Sequence, residues 1–192
     1  MNTSRLEAFS DAVIAIIITI MILEIKAPAS ADIADWREVV PKLVAYVFSF
    51  IVLAIYWNNH HHLLRATKKI SSKIMWANMH VLFWLSLVPI ATAWVGEHHH
   101  YTERWPVFLY AVVGFMSGNA YYLLSRSIIR ANPTSEIAQR IGRDKKGLIS
   151  QVLYTLAFLC AFFSPISSLV ILGCTAILWV VPDRRLAGLA VD

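Results

Sequence analysis

Apolar residues run through this chain in six long blocks, each closed by a polar or charged break. The blocks cover about residues 12–25, 43–64, 74–95, 105–124, 148–163 and 166–181. None shows the strict alternation of a half-buried strand, and most approach the roughly 20 residues that carry a helix across a bilayer. The pattern predicts an all-α polytopic membrane protein of six transmembrane helices, with residues 1–192 as one domain. A polar stretch from Ser4 leads into the first block. The last two blocks are short and separated only by Ser164 and Pro165, where proline favours a break. Two spans joined by a tight turn are expected there, with a re-entrant hairpin as the alternative.

Composition agrees with lipid rather than water as the solvent. Hydrophobic residues make up 58% of the chain and charged residues 15%, against about 25% charged in ordinary soluble domains. Cys160 and Cys174 both sit in apolar blocks without metal-ligand spacing, so they read as reduced, lipid-buried thiols. The net charge of +5 is distributed unevenly. Of the 17 Lys and Arg residues, 13 fall before the first block, in the second and fourth loops or in the tail. The positive-inside rule then places both termini in the cytoplasm. The basic loops face anionic lipid headgroups, and nucleic acid is not expected as a partner. Acidic Glu7 and Asp11 before the first block argue against a signal peptide. Localisation in a cell membrane, with multiple passes, follows.

Polar residues at membrane depth are costly and need partners. On a helical wheel Arg5, Phe9, Ala12, Ile16, Thr19, Ile20 and Leu23 share one face of the first helix. Ser10 and Asp11 point away from that face, so they should meet polar groups on neighbouring helices. Trp57, His60 and His61 near the end of the second helix share a face at i, i+3 and i+4. Trp76, His80 and Trp84 recur every fourth residue in the third, with Asn78 between them. An interhelical lock is expected, with Asp11 and Ser10 able to supply a partner for an intramembrane His on the second or third helix.

The runs His60–His62 and His98–His100 raise metal binding, but no acidic or Cys residue accompanies them at ligand spacing. No metal and no cofactor is expected. G-x-S-x-G, H-E-x-x-H and phosphate-loop motifs are absent, so the chain does not read as an enzyme.

The string Arg5-x-x-x-Phe9-Ser10-Asp11, an Ile/Thr-rich span ending Leu23-Glu24-Ile25, and Tyr56-Trp57-x-x-His60-His61 resemble the signature of one family. It is the prokaryotic branch of the transmembrane protein 175 family, a group of potassium-permeable channels. The resemblance covers about the first 95 residues. It implies a homotetramer in which the first helix of each subunit lines a central pore carrying potassium ions. It implies a constriction of bulky aliphatic side chains in place of a T-V-G-Y-G filter, which this sequence lacks. Carried onto this chain, the constriction and gate fall on Ile16, Ile20 and Leu23, with Thr19 as the pore-lining hydroxyl. Arg5, Phe9, Ser10 and Asp11, with Trp57, His60, His61, Trp76 and His80, then form the motif and interhelical network. A proton-coupled secondary transporter using Asp11 and His80 stands as the alternative, and a non-conducting scaffold as a third reading.

Overall fold

The structure, a computed structural model, describes residues 3–28, 32–65, 67, 69–98, 101–133 and 145–180. It is helical, with no strand among those residues. In chain order the helices are α1 (Thr3–Leu23), α2 (Trp36–Arg65), α3 (Ser72–Leu85), α4 (Val88–Glu97), α5 (Arg104–Ala131), α6 (Lys145–Cys160) and α7 (Pro165–Val180). A short 3-10 turn, Ile33–Asp35, leads into α2 and is capped by the Asp32 carboxylate accepting from the Ala34 N–H. Because α3 and α4 continue one another across two residues, the seven helices among the described residues make six helical units.

Four units are long and apolar enough to cross a bilayer: α1, α2, α3 with α4, and α5. α6 and α7 have 16 residues each, about 24 Å of helix against a hydrocarbon core of about 30 Å. They turn at Ala161–Ser164, and Pro165 opens α7 where its missing N–H costs nothing. α1 starts with the polar lead-in, as expected, and ends at Leu23, two residues short of expectation. The polar lead-in is itself helical from Thr3, which puts Glu7 and Asp11 one turn apart on a continuous helix.

The third unit also differs. It is expected as one helix over 74–95, and the structure breaks it at Ser86–Leu87. Pro89 is the reason. Its ring would collide with the carbonyl four residues back, Leu85, which is where α3 ends. The Ser86 hydroxyl turns back to the Phe83 carbonyl at 2.7 Å and helps close α3.

α5 is the hub, packing against α3, α4, α6 and α7. The spans are stitched by hydroxyls and amides, as expected where lipid offers no competing water. Ser49, Tyr110 and Thr92 join α2, α5 and α4 through bonds of 2.8 and 2.7 Å. Tyr121 on α5 donates to the Asn59 carbonyl of α2, and Trp179 on α7 donates to Ser150 on α6.

The loops sort by charge. Thr3 donates to the Thr67 carbonyl, and the Asn132 amide bonds the Lys69 backbone. Lys146 lies over the Trp179 ring. The start of α1, the α2–α3 loop, the end of α5 and the α6–α7 base therefore share one end, the end bearing most of the cations. Lys68, Arg140, Arg143, Arg184 and Arg185 lie outside the described residues. At the other end Tyr101 donates to the Pro41 carbonyl. Burial pushes the Tyr101 phenol up from its ordinary value, so it remains a donor.

Close approach of α5 and α6 depends on Gly118. A Cβ there would sit 2.9 Å from the Tyr154 ring, whereas one at Gly114 would stand 3.5 Å away, at ordinary contact. Gly118→Ala is expected to cost about 1–3 kcal/mol by overpacking, and Gly114→Ala to be nearly neutral. Thermal unfolding of the purified variants, compared side by side, checks the difference.

Candidate functional site

The two edges of α1 have different fates. Leu6, Ser10, Ile14, Ile17 and Met21 recur at helical spacing and are buried against α2, α3 and α4. Arg5, Phe9, Ala12, Ile16, Thr19, Ile20 and Leu23, the face expected from the wheel, are all exposed on the single chain. Ile16 is 56%, Ile20 41% and Leu23 78% exposed. From Ile16 to Leu23 this stripe rises about 10 Å. A groove between α1 and the α3–α4 break runs beside it, lined by Ile16, Ile20, Glu24, Ser86, Pro89 and Ile90 among others.

Thr19 is the hydroxyl on the stripe. It donates to its own helix, to the Ala15 and Ile16 carbonyls at 3.1 and 2.9 Å. The hydrogen is thereby turned inward, and the oxygen lone pairs are left to face outward. A lone pair without a competing proton is what a desolvating cation needs.

The N-terminal half of α1 is anchored by two polar sets. On the buried side Asn78 of α3 is the centre. Its amide nitrogen donates to Ser10 Oγ at 2.9 Å, and its oxygen bonds His60 Nε2 at 2.6 Å. The Ser10 hydroxyl donates its own hydrogen bond to the Leu6 carbonyl at 2.8 Å. All three side chains are buried, and one amide thus joins α1, α2 and α3. On the flank Trp57 Nε1 donates to Asp11 Oδ1 at 2.9 Å. His61 Nδ1 lies 2.8 Å from Glu7 Oε1, off the direction of a hydrogen bond. The Trp57 and His61 rings stack at 5.9 Å. Glu7 meets His61 and Asp11 meets Trp57. Four residues up one helix answer four residues down the other, as antiparallel packing requires.

Several expected partners separate. His80 receives its bond from Trp84 on its own helix, at 2.9 Å, and not from Asp11 or Ser10. The Asp11–His80 pair that a transporter would use is therefore not formed. His60 parts from Trp57 and His61 and turns to Asn78. Arg5 and Phe9 lie on the exposed stripe, outside the network of one chain. Trp76 is 76% exposed on α3 and joins neither set. His99 and His100 lie outside the described residues. Asn78 and Glu7 are the residues whose importance spacing understated. The signal was present in two pairs, Glu7/Asp11 and Trp57/His61, each one turn apart on successive helices.

Over 187 residues, covering 97% of this chain and 96% of the relative, the sequence is 44% identical to a potassium channel of Chryseobacterium sp. (strain P1-3). The family model described as endosomal/lysosomal potassium channel TMEM175 matches residues 5–89, from the motif of α1 to the start of α4. The chain belongs to the TMEM175 family. The crystal structure of a lysosomal potassium-selective channel TMEM175 homolog from Chamaesiphon minutus superposes with a TM-score of 0.78. It shares 26% identity and covers 95% of this chain and 98% of that one. The mouse endosomal/lysosomal proton channel TMEM175 is 26% identical over 180 residues, 84% of this chain and 36% of its own length. TMEM175 proteins of this branch are prokaryotic channels and not enzymes. The present one is a multi-pass membrane protein of a bacterium.

Proposed function

We propose that four copies of this chain form a potassium channel whose central pore is lined by the exposed stripe of α1. The observation that carries the reading is the division of α1 into a buried edge and a continuous uncovered face. One chain cannot enclose a pore with a single helix. Four α1 helices around an axis can, and the uncovered face then has a partner. Ile16 forms the narrowest ring, with Ile20 and Leu23 above it. Such a ring closes a pore by dewetting, without any specific binding site. Four Thr19 oxygens, already stripped of their outward protons, replace part of a potassium ion's water shell. Potassium ions passing through the pore are the only ligand required, and the basic inner loops face anionic headgroups.

The reversal potential of the purified protein in planar bilayers, under opposed potassium and sodium gradients, tests this. A reversal displaced toward the potassium equilibrium value, with resolvable unitary steps, is expected. Silence from protein shown to be folded and inserted would return the chain to the scaffold reading. Thr19→Val keeps the shape and removes the oxygen. It should lower the preference for potassium over sodium while leaving unitary steps intact, and bi-ionic reversal potentials measure that. An unchanged preference would leave selectivity to size and dehydration alone.

A further inference from the structure

The geometry points to a divalent transition-metal site at the inner end of α1, formed by Glu7, Asp11 and His61. One ligand atom from each lies within 4.8 Å of the others. Zinc binds imidazole nitrogen and carboxylate oxygen at about 2.0–2.2 Å. Small rotations of two carboxylates and one ring would bring this set to that distance.

Three features favour an ion over a simple polar contact. The first is charge. Two carboxylates stand one turn apart at the mouth of a span, and among the described residues no Lys or Arg comes within ion-pair distance of either. The second is the orientation of His61. Its Nδ1 is buried and close to Glu7 without making an aligned hydrogen bond, so its lone pair is not committed. The third is support behind the ligands. Trp57 Nε1 fixes one Asp11 oxygen and leaves the other free, and the Trp57 ring stacks on His61. Hydrogen bonds of this kind orient ligands in metal sites.

The donor set also chooses the metal. One imidazole with two carboxylates suits zinc and its neighbours, whereas calcium and magnesium prefer oxygen alone. Water completes the fourth position. The two helices contribute unequally, Glu7 and Asp11 from α1 and His61 from α2. A bound ion therefore ties the inner end of α1 to α2. The site does not depend on the pore assignment, because binding is measured without current.

Full-length protein in detergent, carrying Gln at positions 98, 99 and 100 to remove the loop histidines, is titrated with zinc chloride by calorimetry. One zinc per chain is expected. Glu7→Gln and His61→Gln should each weaken binding at least tenfold. Trp57→Phe, which touches no metal, should weaken it about tenfold by releasing Asp11. His62→Gln should leave affinity within about twofold. Equal affinity in the Glu7 and His61 variants would overturn the site, as would loss of all binding on replacing the loop histidines. Should those variants fold poorly, X-ray absorption of the zinc-loaded protein decides. One imidazole with oxygen donors supports the assignment, and three or more imidazoles refute it.

Discussion

Ile16→Asn should raise potassium current at least severalfold, with tenfold corresponding to a barrier lowered by about 1.4 kcal/mol. The physical cause is hydration. An Ile ring repels the water column on which an ion depends, and an amide ring holds it. The position matters more than the chemistry of the substitution. Ile16 is exposed on the free face of α1, so an Asn there displaces no packing. Ile14, two residues earlier, is only 1% exposed. Ile14→Asn puts an amide into a packed interface and should reduce the yield of folded protein without gain of current. Single-channel recording of the first, and size-exclusion profiles of both, separate gate from core. Unchanged current in a folded Ile16→Asn channel would remove this residue from the constriction.

Asn78→Ala should cost about 2–3 kcal/mol of stability. Two interhelical hydrogen bonds vanish, each worth about 0.6 and at most about 1.7 kcal/mol between membrane helices. Ser10 Oγ loses its donor, and His60 loses its only hydrogen-bonded nitrogen, since its Nδ1 has no partner in the structure. A cavity adds the remainder. Asn78→Leu fills the space but restores neither bond, so it should recover only the cavity share. Unfolding in mixed micelles, followed by tryptophan fluorescence, gives both numbers. If the alanine variant matches the wild type, the amide is not the joint between α1, α2 and α3.

How much of this was legible in the chain depends on the kind of information. The six units and the free face of α1 follow from block length and helical period, which are properties of one segment at a time. Ser10 and Asp11 were readable as groups in need of partners for the same reason. Which partner each takes was not readable, because that depends on the depth at which two helices pass. Ser10 meets Asn78 rather than His80, half a turn away on the same helix. His80 is satisfied within its own helix. The break at Ser86–Leu87 was signalled by Pro89, yet apolar residues continue through it and conceal the interruption. The histidine runs have no acidic neighbours along the sequence, and Glu7 meets His61 only through space, from a helix about fifty residues earlier.

The separation between Ser10 and Asn78 has a consequence for how the protein is made. The two residues are 68 positions apart, and Asp11 and Trp57 are 46 apart. Chains grow at about 5–20 residues per second, so Ser10 exists for roughly 3–14 s before Asn78 is synthesised. During that interval the first span has emerged with Glu7, Ser10 and Asp11 still lacking their eventual neighbours. Those three residues occupy its first turns, while the 12 positions from Ala12 to Leu23 are apolar except for Thr19, whose hydroxyl is already satisfied by its own helix. The newborn span can therefore sit at its final depth with its polar end resting among hydrated headgroups. The order of synthesis thus favours placing the anchors at the rim of the span, where waiting is cheap, over the middle of the bilayer, where it is not.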